Sequence, residues 1–380
     1  MTEKLYYKDS FIAEFDATVL ECKNNDNHFE IRLDKTAFFP EGGGQPGDIG
    51  FIGDVPVFDT KEHSGEIYHY TKAPIEVGTA ILCKIDFPLR FSRMQCHSGE
   101  HIVSGIIHTL FGFDNVGFHL SDNDVTIDIS GVLSEDDIRK VELLANEAIA
   151  KDFEVKEYFP TKDEAKNFNY RSKLEIEEDL RLIEFEGYDI CACCAPHVKR
   201  SGQIGVIKLL DFANYKGGVR IHMLCGMRAL ADYQTKYRSV LEISNTLSAK
   251  QSEVSDAVLR LKSENDSLKH EISAMRRAIA DELIATAKTT EKNLVFFSSV
   301  LDAASLRYLA NAGLEKCCGI CAAFTGKDGA YTFCMVSKSI NLKEKAKEIG
   351  EALHGRGGGS ADMICGSVSA TKSEIETYLK

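Results

Sequence analysis

No run of 18 or more apolar residues occurs in the 380-residue chain, so a membrane-spanning helix is not expected. The opening segment, MTEKLYYKDSF, lacks an apolar core and a small-residue cleavage pattern, and no secretion signal is expected from it. Basic residues are the minority, 45 Lys and Arg against 58 Asp and Glu. The net charge of −13 therefore has the wrong sign for a generic nucleic-acid binder. Proline is scarce, and five of the seven fall before residue 89. There is no internal repeat and no low-complexity tract. Cysteine is not scarce: the twelve thiols form no compact secreted framework, which points to a reducing cytoplasm where thiols serve metal binding or packing.

The remaining composition, 44% apolar and 27% charged, is that of an ordinary globular protein, and the length suggests two or three domains. Residues 1–88 read as mostly β, with short runs at Ala17–Leu20 and Phe29–Leu33 and with Pro40, Pro46, Pro56, Pro74 and Pro88 breaking any long helix. Helical patterns begin at Phe91–Leu110 and return at Ser134–Lys151, where Ser134 and Asp137 form an N-cap signal. VTIDISG between them reads as a strand, and a second β-rich stretch runs from Leu180 to Val219. Lys199, Arg200, Lys208, Lys216 and Arg220 make a basic strip suited to phosphates, interrupted by Asp211 alone.

From Ala231 to Lys288 there is neither proline nor glycine, and Val240, Leu247, Val254, Leu261, Leu268 and Met275 recur every seven residues. The pattern predicts one long helix with a coiled-coil seam, interrupted at Ser244, Gln251 and Asn265 and spanning roughly 80 Å. Residues 291–380 return to α/β, with strands at NLVFFSSV and YTFCMVS and a helix at Asn341–Leu353. That helix is expected to stop at Gly355, where a glycine-rich loop, GRGGGSADM, follows.

Gln95-Cys96-His97-Ser98-Gly99-Glu100-His101 places two histidines four apart on one helix face. Cys193-Cys194-Ala195-Pro196-His197 offers a thiol and a third imidazole. Together His97, His101, Cys193 and His197 match zinc's preference for N and S donors. HSGEH is also the inverted zinc-peptidase pattern, which would draw a further ligand from Glu175, Glu177 or Glu178 but would leave Cys193 and His197 idle. Cys191 with Cys194, and Cys318 with Cys321, are CxxC pairs. The first is followed by Pro196 and strand rather than a helix, which disfavours redox chemistry, and Cys317, Cys318 and Cys321 read as buried small apolar residues.

Thr36 to Gly50, TAFFPEGGGQPGDIG, is the most specific segment: Gly42, Gly43 and Gly44 expose backbone amides and let a ligand approach the main chain. No Gly-Lys-Ser/Thr follows, so it is not a Walker A loop, and it is not a dinucleotide turn either. A tight turn between barrel strands would account for the glycines but not for the flanking Thr36 and Gln45.

With HSGEH at 97–101, VGFHLSDNDVTIDIS at 116–130, CCAPHVKRSGQIG at 193–205 and GGVRIHMLCG at 217–226, this segment resembles the alanyl-tRNA editing family in motif and order. The glycine-rich 355–363 behind a coiled-coil linker resembles that family's DHH-associated C-terminal domain, and hence the long AlaX form. Two departures stand out: Cys194-Ala195-Pro196 replaces the usual Gly-Gly-Thr, and Glu100 stands where relatives often carry an uncharged residue. The synthetase's aminoacylation domain and any Asp-His-His motif are absent from the sequence.

The resemblance implies an α+β protein in four parts: a small β-barrel (1–88), a zinc-bearing α+β editing core (89–230), a coiled-coil linker (231–290) and an α/β RNA-binding domain (291–380). It implies a cytoplasmic, ATP-independent hydrolase with zinc on the four donors, which deacylates Ser-tRNA(Ala) or Gly-tRNA(Ala) and spares Ala-tRNA(Ala). Thr36, with Gln45 beside it, is its candidate for hydrogen-bonding the serine hydroxyl. Gly42, Gly43, Gly44 and Arg220 are expected at the substrate, and Arg356, Gly357, Gly358 and Gly359 on RNA. Homodimer formation through the heptads or the C-terminal domain is a further expectation. A non-catalytic tRNA-binding protein with structural zinc is the alternative reading.

Overall fold

The computed structural model describes residues 2–121, 124–172 and 180–380. It is an α+β chain that divides into two compact units, Met1–Ser239 and Val240–Lys380.

The first unit begins with eight strands: β1 (Glu3–Lys4), β2 (Glu14–Asn25), β3 (His28–Leu33), β4 (Lys35–Thr36), β5 (Gly50–Ile52), β6 (Val55–His63), β7 (Glu66–Thr71) and β8 (Ala80–Ile85). Alternation decides which face each presents: along β2, Phe15, Ala17 and Val19 are buried while Glu14, Asp16 and Leu20 face out. β1 pairs in parallel with β4, and the other six pair in a closed cycle, β2-β3-β7-β6-β5-β8, around Val19, Ile31, Leu33, Phe38, Ile52 and Cys83. Closure leaves no unpaired edge among those six strands.

Asp86 then opens helix α1 (Phe87–Phe111), its carboxylate accepting from the Leu89 amide at 3.1 Å with Pro88 in the first turn. Gly112 closes the helix in the left-handed conformation at φ 70°. Next come β9 (Asn115–Leu120), β10 (Val125–Ile129), α2 (Glu135–Ala150), β11 (Val155–Tyr158), α3 (Lys162–Ala165), β12 (Leu182–Phe185), β13 (Asp189–Ala192), β14 (Ile207–Tyr215), β15 (Gly218–Cys225) and α4 (Gly226–Leu247). The expected cap forms: Ser134 Oγ accepts from the Asp137 amide, and Asp137 accepts in return from the Ser134 amide. An antiparallel sheet β14-β15-β10-β9 carries α1 and α2 on its apolar face, with Met94, Ile102, Val103, Val141, Ile127 and Ile221 in one core. A smaller sheet, β11-β12-β13, completes the unit.

A buried ion pair ties barrel to helix. Arg90, in the first turns of α1, donates to Asp48 through Nε at 2.7 Å and through Nη2, and to the carbonyls of Ala37 (2.6 Å) and Ser10 (3.2 Å). Asp48 also accepts from the Phe39 amide at 2.7 Å. Both side chains are almost fully buried, so the bonds compensate the lost hydration and fix the segment 36–50 against the helix.

The expected single long helix does not form. α4 ends at Leu247, Ser248 takes a left-handed φ of 51°, and a short 3-10 turn at Gln251–Glu253 precedes α5 (Val254–Thr286). Serine and asparagine are the cause: the Ser244 hydroxyl donates to the Ala249 carbonyl at 2.6 Å and the Ser248 amide to the Asn245 carbonyl. These local bonds replace helical ones.

In the second unit, β16 (Leu294–Ser298), α6 (Ala303–Gly313), β17 (Cys321–Lys327), β18 (Ala330–Val336), α7 (Leu342–Ala352), β19 (Gly355–Gly359), β20 (Met363–Val368) and α8 (Lys372–Tyr378) follow α5. The sheet order is β16-β17-β18-β20-β19, parallel only between β16 and β17. Cys321, Ala323 and Cys334 pack on one face beneath α6 and the end of α5, and Ala322, Phe324 and Phe333 on the other against α7 and α8. Gly355–Gly359, expected as a loop, is instead an edge strand. Pairing with β20 satisfies one side of its backbone, and glycine at 357 leaves space that a Cβ would take from Phe333. Cys318, expected buried, is exposed in the bend before β17.

Asp48→Ala leaves the Arg90 guanidinium buried without its carboxylate and is expected to cost about 3–5 kcal/mol in urea unfolding. The paired substitution Asp48→Leu with Arg90→Met is expected to cost less than the single change. Equal losses would contradict this account of the pair.

Candidate metal centre

Four donors from two distant segments meet in the first unit. His97 and His101 lie one turn apart on α1 with their rings stacked, centroids 5.4 Å apart. The loop after β13 brings Cys193 and His197 to them: Cys193 Sγ lies 3.5 Å from His97 Nε2 and 3.3 Å from His197 Nε2. All four donor atoms lie within 4.8 Å of one another. A tetrahedral zinc with ordinary Zn–S and Zn–N bonds separates sulfur from nitrogen by roughly 3.5 Å.

The outer nitrogens show how the rings are turned. His97 Nδ1 meets Gln45 Oε1 at 3.2 Å, His101 Nδ1 meets Asp189 Oδ2 at 2.8 Å, and His197 Nδ1 meets Ser98 Oγ at 3.1 Å. Each imidazole thus has an oxygen partner behind it, and its Nε2 faces the cluster, the arrangement that second-shell partners give to metal-bound histidines. His101 Nε2 is buried and has no hydrogen-bond partner among the described residues, as a lone pair waiting for an ion would be. The residues present fit zinc.

The electrostatics differ from donor to donor: burial lowers His101, but the Glu100 charge and the hydrogen bond to Asp189 outweigh it and raise the ring well above the usual imidazole range in the metal-free chain. Burial pushes His197 down to about 3, so its ring is neutral. Burial alone would raise the Cys193 thiol, but its electrostatic interaction with the imidazoles around it brings it well below the usual thiol range. Asp189, raised by burial, is held below the usual carboxylate range by hydrogen bonds from His101 and Arg171. Arg171 clamps it through Nε at 2.7 Å and Nη2 at 2.8 Å. Gly105 permits this packing, because a Cβ there would lie 2.2 Å from the Tyr188 carbonyl.

The loop carrying Cys193 and His197 is fastened at three points. Arg181 donates to the carbonyls of Cys193 (3.0 Å) and Ala195 (2.8 Å), Ser10 to the carbonyl of His197 (2.8 Å), and the Val198 amide to Ser98 (3.2 Å). Against the cluster lies a cavity of about 720 Å³ lined by Gly43, Gly44, His97, Glu100, His101, Asn115, Phe118, Arg171, Arg181, Cys193 and Cys194, among others. Gly43 and Gly44 take left-handed φ values of 60° and 80° in a tight turn closed between Gly42 and Gln45. At Gly44 a Cβ would lie 2.5 Å from the Phe118 carbonyl, so the turn can lie this close to β9 only as glycine. The Glu100 carboxylate accepts from Ser104 Oγ at 2.6 Å and from Asn115 Nδ2, with its other oxygen 4.0 Å from His101 Nε2.

Of the site residues expected from sequence, the structure gathers His97, His101, Cys193, His197, Gln45, Gly43 and Gly44. It does not bring Thr36 or Arg220 to the cavity wall. Thr36 is buried in β4, its hydroxyl 2.8 Å from His69 Nε2 and accepting from the Phe38 amide. Arg220 forms an ion pair with Asp128 and stacks on Tyr215. Gln45 is buried against His97 rather than lining the cavity. Glu175, Glu177 and Glu178, the carboxylates that a peptidase reading would call on, lie outside the described residues. Sequence reasoning missed Asp189, Arg171, Arg181 and Ser98. Ser98 and Asp189 flank the ligand motifs and carry the signal of second-shell oxygen donors, whereas nothing local marks the two arginines.

Comparison with known proteins follows the same segments. Residues 180–222, which include Cys193 and His197, match the model described as the threonyl and alanyl tRNA synthetase second additional domain. The chain is 27% identical to the alanyl-tRNA editing protein AlaX-L of Pyrococcus horikoshii, over 99% of this chain and 96% of that one. The resemblance is to the long-form alanyl-tRNA editing proteins. The zebrafish (Danio rerio) alanyl-tRNA editing protein Aarsd1 is 26% identical over 98% of this chain and 96% of its own length. The alanine–tRNA ligase of Archaeoglobus fulgidus is 28% identical over 97% of this chain but only 42% of that enzyme. Among solved structures, the C-Ala domain of Aquifex aeolicus alanyl-tRNA synthetase aligns with 24% of this chain and 91% of that one, at 22% identity and a TM-score of 0.21.

Two outcomes are expected. Asp189→Asn should lower zinc affinity by about 10–100-fold, measured by competition with a chelator, with the fold intact; unchanged affinity would deny Asp189 its orienting part. Burial lowers His69 to about 4 from an unfolded value near 6.5, so the folded chain binds fewer protons. Its contribution is full above pH 6.5 and is lost as pH falls toward 4, by about 3 kcal/mol in total. The stability gap between wild type and His69→Asn should therefore shrink between pH 7 and pH 4.5 in urea unfolding, and a constant gap would contradict this.

Proposed function

We propose that this chain is a trans-acting deacylase that hydrolyses the ester of tRNA(Ala) mischarged with serine or glycine and spares Ala-tRNA(Ala). The observation that carries the reading is the four-donor cluster at the wall of a cavity floored by a glycine turn, in a chain alike to editing proteins along nearly its whole length.

Zinc held by His97, His101, Cys193 and His197 would supply Lewis-acid polarisation or a fixed anchor for the terminal adenosine. The protein's own residues do the rest. Gly43 and Gly44 let the acceptor end approach the main chain where side chains would block it. Gln45 acts through His97, whose ring it holds, rather than on substrate. Arg171 and Arg181, both on the cavity wall, offer positive charge toward the terminal phosphates.

Sparing alanine requires a polar group that the serine hydroxyl satisfies and alanine leaves unpaired. Asn115 and Glu100, bonded to each other, line the cavity beside His101 and are the polar side chains that a serine hydroxyl would join there. Thr36, whose hydroxyl is already engaged by His69, then sets the position of the segment that carries the glycine turn. In the second unit, a groove of about 550 Å³ lined by Lys343, Lys347, Arg356 and Gly357–Gly359 offers cations and exposed main chain to an RNA backbone. Free thiols throughout, and no helix among the described residues long and apolar enough to cross a membrane, accord with a cytoplasmic enzyme.

The test is release of amino acid from Ser-tRNA(Ala), Gly-tRNA(Ala) and Ala-tRNA(Ala) by wild type and His101→Ala. Serine or glycine released, alanine retained, and loss of release in the variant is the expected pattern. No release from any of the three, with zinc and tRNA bound, would overturn the enzyme reading in favour of a zinc-stabilised RNA-binding protein.

A further inference from the structure

An aminoacyl ester brings more to the cavity than a carbonyl. Its α-carbon carries an ammonium, and that charge loses water wherever the carbonyl comes up against the metal donors. A buried cation without a counter-charge is costly. The wall already holds the guanidinium groups of Arg171 and Arg181, and zinc on one thiolate and three imidazoles would keep part of its own charge. An ammonium in such a place calls for a carboxylate beside the donors.

Among the described lining residues two carry carboxylates, Glu100 and Asp114. The Asp114 side chain is 61% exposed and already meets His108 Nδ1 at 2.9 Å. Glu100 is only 4% exposed, on the buried face of α1 next to His101. Its Oε1 accepts from Ser104 Oγ at 2.6 Å and from Asn115 Nδ2, and Asn115 Nδ2 also donates to Ser104 Oγ at 3.2 Å. These bonds hold the carboxylate from the side of β9 and set its Oε2 4.0 Å from His101 Nε2, the donor atom itself. In the ester, three bonds of about 1.2–1.5 Å separate the ammonium nitrogen from the carbonyl oxygen. A carbonyl seated at the donors therefore brings its ammonium within reach of Glu100.

We propose that Glu100 receives the α-ammonium of the substrate and so restricts the site to esters with a free amino group, excluding peptidyl and other N-acylated tRNA esters; this assignment rests on the deacylase reading. Alanyl and seryl esters carry the same ammonium, so Glu100 sets the class of ester. Telling serine from alanine is left to the hydroxyl, one carbon further on, beside Asn115 in the same network.

The test compares Ser-tRNA(Ala) with its deaminated form, in which a hydroxyl replaces the ammonium, on zinc-loaded wild type and Glu100→Gln. Glutamine keeps the side-chain length and an acceptor oxygen for Ser104 and Asn115 and removes the charge. Wild type should prefer the seryl ester by about 10–100-fold in kcat/KM. That preference should fall to near unity in the variant at unchanged zinc content, and wild type should spare N-acetylseryl-tRNA(Ala). A second readout needs no turnover: equilibrium binding of the seryl-adenosine analogue with an amide in place of the ester should weaken by the same factor in Glu100→Gln. A Glu100 that only supports the fold would lower both esters together and leave the preference intact, which would overturn the proposal. So would a wild type that treats the two esters alike or hydrolyses the N-acetyl ester. If neither ester is hydrolysed while the amide binds in a Glu100-dependent way, the ammonium site stands and the deacylase reading alone falls.

Discussion

Everything in the first unit depends on holding three imidazoles and a thiol together away from water. Such groups repel or desolvate one another unless their protons and lone pairs are directed. Here the direction comes from behind: Gln45, Asp189 and Ser98 each meet an Nδ1, so the three Nε2 atoms face Cys193. The partners come from the barrel segment, from β13 and from α1 itself, which makes the cluster the junction of the unit. Arg90 and Asp48 serve the same junction from the barrel side, and Arg181 and Ser10 from the loop side. Charge and hydrogen bonding act there together with the apolar packing of Tyr6, Phe39 and Ile67 on Ala195 to fix the relative place of barrel, helix and loop.

The glycine turn follows from that placement. Once segment 36–50 is fixed against α1, the chain between Phe39 and Asp48 must cross close to β9 and to His97, where backbone meets backbone. Glycine at 43 and 44 is what such a crossing permits, and the open main chain it leaves is the cavity floor. A folding requirement and the floor of the cavity are thereby met by the same two residues.

The cluster of four candidate donors was legible in the sequence because their chemistry and their spacing of four residues are both unusual. Helix α1, the Ser134 cap and most strands were legible from periodicity and caps. What was not legible had weaker local signals. Asp189 and Arg171 act over long sequence separation, and their roles exist only once α1 and β13 pack at Gly105. Thr36 was expected in the pocket on the family resemblance, yet β4 turns its hydroxyl toward His69. The heptads hid a break, since Ser244 and Ser248 are tolerated in a helix but offer the backbone an alternative. The run 355–359 reads as a loop by composition, whereas pairing with β20 makes it a strand, a tertiary effect that no local window carries.

The most direct test of the central claim is a titration of the metal-free protein with Co(II), followed by optical absorption. One equivalent bound with the intense visible bands of tetrahedral cobalt and a sulfur charge-transfer band, the latter lost in Cys193→Ser, is what a site built of His97, His101, Cys193 and His197 predicts. Weak octahedral bands, or a charge-transfer band that persists without Cys193, would contradict it.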